Sequence, residues 1–190
     1  MAEAFTLTAQ GYRARLTEEE IRLLARLFDD VALTLEPEGP EELDPLAMAV
    51  GINDQAQQPQ DPALARLLPA ASTDPDLAQE FRRYTDLSLR QTKRENLTRA
   101  SMSLSSRLLL DQEGAQSWAA ALNDVRLVLG TRLGIEDEQK AQELGQISDA
   151  SQVESTEDYM ALVYNFVSWL QESLMEALIQ NLDSPADRQA

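Results

Sequence analysis

The stretch LNDVRLVLGTRLGI, Leu122 to Ile135, constrains the fold of this chain most. Together with Trp118, the residues Leu122, Val125, Leu129 and Leu133 recur at helical spacing and predict one amphipathic helix with a narrow buried stripe. Gly134, just past the stripe, predicts a left-handed stop. Gly130 lies inside the helix, where glycine costs about 1 kcal/mol relative to alanine, so another backbone is expected to pack close to it. Such a stripe has to be buried against further helices, and the chain supplies them.

Thr17 and Glu20 read as a capping box that opens a helix with the buried stripe Ile21, Leu24, Phe28, Val31 and Leu35, ended by Pro37 and Pro40. A loop-rich acidic stretch from Glu36 to Asp61 carries one short apolar piece, Pro45 to Ile52. DPALARLLP, Asp61 to Pro69, reads as a short helix with Asp61 as cap and Pro62 at the first helical position. Asp74-Pro75 repeats that opening for a longer helix. Its first part is expected to bury Leu77, Phe81, Tyr84 and Leu87, and its continuation Leu97, Ala100, Leu104 and Leu108. On a straight helix those two stripes lie on roughly opposite faces, so either a break or kink within Gln91 to Asn96 or a helix sandwiched on both sides is expected, the break being favoured. Asp111 to Gly114 reads as a turn into the Trp118 helix. After Gly134 comes an acidic linker, Ile135 to Ser155, with a short helix around Gln139 to Leu144. Thr156 is expected to cap a last helix to about Leu182, with Tyr159, Val163, Phe166, Leu170, Leu174 and Ala177 facing inward. Before all of these, Phe5 to Leu16 alternates and predicts a β-hairpin turning at Gln10-Gly11. The expected architecture is mainly α: a single-domain helical bundle of about five to seven helices, residues 17–182, with a small N-terminal β-hairpin, residues 1–16, packed on it and a frayed tail, residues 183–190.

Composition narrows the chemistry. The 190 residues include no cysteine and no histidine. Disulfides and thiolate nucleophiles are therefore excluded within the chain. The usual neutral-pH general base and the commonest metal ligand are missing too. No P-loop, Gly-x-Gly-x-x-Gly, Gly-x-Ser-x-Gly or EF-hand spacing occurs. No catalytic residue, metal site or cofactor is expected; an enzyme using carboxylates and magnesium would need acidic residues on the buried stripes, which hold none. The net charge of −17 opposes DNA binding by the surface as a whole and suits a basic protein partner. No apolar run is long enough to cross a membrane and the N-terminus is unlike a signal peptide, so a cytoplasmic location is expected.

The charge is unevenly spread. Pro75 to Leu110 holds seven basic residues against four acidic ones, an excess of +3 that leaves −20 for the rest. Arg82, Arg83, Arg90, Lys93 and Arg94 fall on one face of the helix, opposite Leu77, Phe81 and Tyr84. That face is a candidate partner-binding or anion-binding surface; the plainer reading is a solvated helix face or an internal counter-charge to the acidic loops. Asn123, Arg126 and Gly130 share a flank beside the buried stripe and form a second candidate, for a partner or a ligand; the plainer reading is a hydrogen-bond cluster at a helix crossing. Trp118 and Trp169 mark either a pocket or the core.

Four pieces in this order, DPALARLLP, EFRRYT (Glu80 to Thr85), LNDVRLVLGTRLGI and WLQESLMEAL (Trp169 to Leu178), resemble an actinobacterial family catalogued as a domain of unknown function that includes an oxidative-stress transcriptional regulator. The resemblance runs from the hairpin to the last helix. It implies a small, mostly helical cytosolic regulator that acts by protein contact, with sigma factor or RNA polymerase as partner. In that regulator an intramolecular disulfide is the implied switch, and here this sequence departs: without cysteine it cannot sense oxidants that way. It either regulates without that switch or shares only the fold and a protein-binding surface. Met48, Met102, Met160 and Met175 offer thioether oxidation instead, although methionine in such helices is ordinarily core filler. The alternative function is a structural or oligomerisation module, a homodimer with Gly130 at a two-fold helix crossing.

Overall fold

In a computed structural model, the described residues are 2–36, 52–53, 56–135, 137–146 and 150–183. Among them the fold is mainly helical, with a small antiparallel sheet. The Pro45 to Ile52 piece, apart from Ile52, and the tail from residue 184 on lie outside the described residues.

The hairpin forms as expected: β1 (Glu3–Thr8) pairs with β2 (Gly11–Arg15) through a tight turn. Phe5, Tyr12 and Ala14 point into the core. Gly11 has φ +127°, and a Cβ there would sit 2.2 Å from the Leu110 carbonyl oxygen, so the turn demands glycine. That carbonyl belongs to a third strand that the sequence reading missed. β3 (Arg107–Leu110) pairs antiparallel with β2, giving the order β1-β2-β3. Leu108 is buried, but on this strand and not on a helix. Within RLLL, the alternation that buries Leu108 and Leu110 and exposes Leu109 is masked by three identical leucines.

Among the described residues six α-helices form, most of them opened by the local signals. The capping box of Thr17 and Glu20 starts α1 (Glu18–Thr34). Asp61 caps α2 (Pro62–Leu67), and Asp74 caps α3 (Pro75–Ser103). The helix α4 (Gln112–Arg132) starts at Asp111, whose side chain accepts from the Gly114 amide. It ends as expected at Gly134, φ +64°, where the Ile135 amide donates to the Gly130 carbonyl and the Gly134 amide to that of Thr131, a Schellman stop. A short α5 (Glu138–Gly145) precedes α6 (Thr156–Asp183). The cap of α6 is Ser155 and not Thr156: its hydroxyl accepts from the Asp158 amide while Asp158 accepts from the Ser155 amide.

α4 is central, packing against α1, α2, α3 and α6. Its Trp118 is fully buried, edge-on to Phe5 at 5.8 Å and Phe28 at 5.6 Å, and its indole N–H donates to the Ser103 hydroxyl. The second tryptophan is different: Trp169 lies on the outer side of α6, with its ring near Phe166. Tyr159, expected inside, is exposed. β1 lies along α6, where the Phe5 amide donates to the Ser173 hydroxyl and so covers part of the sheet edge.

Two expectations about α3 fail together. The helix is continuous over its 29 residues, with no break at Gln91 to Asn96. Leu77, Phe81 and Tyr84 are not buried but about half exposed, at 48%, 50% and 51%. The buried stripe is instead Arg82, Asp86 and Arg90 followed by Leu97 and Ala100, one line along a straight helix. The physical reason is what faces that stripe. The last carbonyls of α1 and α2 point at it, and these need donors, which leucine lacks and arginine supplies.

Candidate functional site

The basic face of α3 is built into the fold. Both terminal nitrogens of the Arg82 guanidinium reach the Leu68 carbonyl at the end of α2, each at 3.4 Å. Arg90 donates to the Leu35 and Glu36 carbonyls at the end of α1, at 3.2 and 3.3 Å. Asp86 sits between the two arginines; its Oδ2 accepts from Arg90 Nε at 2.8 Å, and Arg82 stands 3.9 Å from its Oδ1. A cation at a helix C-terminus is favoured by the helix dipole as well as by the free carbonyls. One turn further on, Lys93 crosses to α4 and meets the buried Asp124 at 2.6 Å. Burial pushes the Asp124 carboxyl above its ordinary value, against the hydrogen bonds from Lys93 and Asn123 that pull it down.

The remaining candidates on this helix lie further out. Arg94 pairs with Glu36 at 3.2 Å across exposed surface, and Arg99 pairs with Glu113. Arg83 stacks near the Tyr84 ring, 5.8 Å from its centroid, and its carbonyl accepts from the Asn53 amide. Arg83 thereby joins the exposed row of Leu77, Phe81 and Tyr84. The sequence puts that row in the core because its apolar periodicity is that of a buried face.

The second candidate cluster is brought together. Asn123, Arg126 and Gly130 line one hollow of about 130 Å³, with Arg66 from α2, Thr131 from α4 and Tyr164 from α6. The Arg126 guanidinium donates to Gln171 Oε1 at 2.8 Å and lies 5.8 Å from the centre of the Tyr164 ring. No backbone packs against Gly130, contrary to expectation. Its neighbour is the Tyr164 ring, 3.5 Å from where a Cβ would stand. Gly130 is buried, with this ring of its own chain against it. Arg66 and Tyr164 had no signal in the sequence, since they come from helices far apart along the chain.

Among the described residues no group of acidic side chains could hold a metal ion, and no helix is long and apolar enough to cross a membrane.

Comparison with known proteins places this arrangement in a family. No solved structure matches the chain. A curated protein of Mycobacterium leprae (strain TN), named "Putative oxidative stress regulator AosR", is 33% identical over 150 residues, covering 68% of this chain and 69% of that protein. The family described as "Domain of unknown function (DUF2017)" matches residues 2–178, from the first strand to the last helix, and the chain belongs to that family.

Proposed function

We propose that this chain is a non-enzymatic, transcription-associated regulator that works through protein–protein contact in the cytoplasm, with sigma factor or RNA polymerase as the partner. The observation that carries the reading is the row of Leu77, Phe81 and Tyr84 on the outer face of α3, flanked by Arg83. Aromatic residues with an adjacent arginine are the composition of a protein interface core, and exposed apolar rows of this kind mark interaction surfaces. The similarity to a protein named as a stress regulator supports the same reading. The net charge of −17 steers a basic partner surface towards the chain. Arg82, Arg90 and Lys93 hold the helix that presents the row. Any signal reaches this regulator without thiol chemistry, since the chain has no cysteine.

The test is direct binding of the host's RNA polymerase, with and without its sigma factors, to wild type and to Phe81→Asp. At moderate salt the wild type should bind, and the variant should bind at least tenfold more weakly at an unchanged melting temperature. No binding by the wild type, or equal binding by the variant, overturns the assignment. The same exposed row fits a second copy of the chain, the oligomerisation reading. A wild-type dimer that Phe81→Asp splits in sedimentation would favour that reading instead.

A further inference from the structure

We propose that the hollow between α2, α4 and α6 is a binding site for a small oxyanion, the carboxylate or phosphate group of a compact metabolite. The site shares no residue with the Phe81 row and does not depend on it. Among the described residues its lining contains no acidic side chain, although the chain as a whole carries −17. Two arginines, Arg66 and Arg126, line it. Arg66 stands in the last turn of α2, exposed and with no carboxylate partner among the described residues. The Arg126 Nε is shut off from solvent and has no hydrogen-bond partner among the described residues, while its neighbouring nitrogen is held on Gln171. An arginine offers five donors in a fixed fork, and a buried donor left unmet is unfavourable. A carboxylate or phosphate group in the hollow offers the two arginines that line it a charged acceptor.

The rest of the lining sets the size and character of the ligand. Gly130 contributes no side chain, which leaves space over the Tyr164 ring, and Leu127 and Ile135 supply an apolar wall. The volume, about 130 Å³, is well below the roughly 300–1,000 Å³ of sites for drug-sized molecules, so the ligand is a few heavy atoms and not a nucleotide. Tyr164 and Gln171 both lie on α6, so an anion here joins α2, α4 and α6 through one charge.

The experiment is an NMR titration of the full ¹⁵N-labelled chain, reading arginine Nε–H and backbone amide signals. Potassium phosphate and potassium isobutyrate are the probes, and potassium chloride at equal ionic strength is the control. Arg126 Nε–H and the Gly130 and Thr131 amides should shift saturably with one or both probes and not with chloride. The probe that acts tells a phosphate site from a carboxylate site. Arg66→Gln, an exposed change that leaves the core intact, should weaken binding at least tenfold, and Arg126→Gln should abolish it. The proposal is overturned if neither probe shifts these signals by about 20 mM, where a Kd of about 1 mM would be saturated. It is overturned equally if chloride reproduces the shifts, or if Arg66→Gln binds like the wild type.

Discussion

Lys93 and Asp124 show how a charge pair on the inside of this molecule differs from one on its surface. Asp124 is 2% exposed, whereas the Lys93 side chain retains some access to solvent. Removing the lysine strands a buried carboxylate; removing the acid leaves an ammonium that can turn outward on its flexible stem. Lys93→Met should therefore cost about 3 kcal/mol, and Asp124→Asn clearly less. The carboxyl is already pushed upward by burial, so the folded state holds its proton more tightly than the unfolded chain does. Its contribution to stability consequently falls as pH rises from the ordinary carboxylate value through the raised one. Lys93→Met raises that value further, so the penalty measured by urea unfolding should be smaller at pH 5 than at pH 7. Equal penalties at the two pH values would contradict this account.

Several helix ends in this protein fall where their own residues say they should, but which way the helices face is decided elsewhere. Asp61, Asp74, the Thr17–Glu20 box and Gly134 act on backbone groups within a turn of themselves, so their effect was legible in the sequence. The orientation of α3 was not legible. Reading Leu77, Phe81 and Tyr84 as the buried side follows from hydrophobicity alone, and the predicted break followed from that error. What turns the helix over is the demand of the α1 and α2 carbonyls for donors, and those carbonyls lie 55 and 14 residues away along the chain. β3 was hidden for a similar reason, because its partner strand β2 lies more than ninety residues earlier. The second candidate cluster was half legible: Asn123, Arg126 and Gly130 share a helix flank, while Arg66 and Tyr164 arrive only through packing. The role given to Arg90 can be checked at this scale. Arg90→Met removes donors from Leu35 and Glu36 and leaves Asp86 without its 2.8 Å partner. A loss of about 2–4 kcal/mol is expected. Hydrogen exchange should quicken first at the Leu35 amide, which closes the last turn of α1. Uniform loss of protection across all helices would argue against a capping role.

Over the whole molecule, a net charge of −17 on 190 residues makes folding work against its own repulsion. The exposed pairs such as Arg94–Glu36 offset little of this. Moderate salt screens the repulsion over about 8–10 Å but hardly touches the buried pairs of α3. The melting temperature should therefore rise between low salt and about 0.15 M, and a fall would mean that surface pairs contribute more than the repulsion they offset. The contact between Phe5 and Ser173 also sets a timetable. The first strand is made 168 residues before the serine that covers its edge. At about 5–20 residues per second, the ribosome leaves that edge waiting for about ten to thirty seconds. During that interval the outer edge of the strand is open to other nascent chains. For this protein, the hazardous moment in the cell is its birth and not its working life.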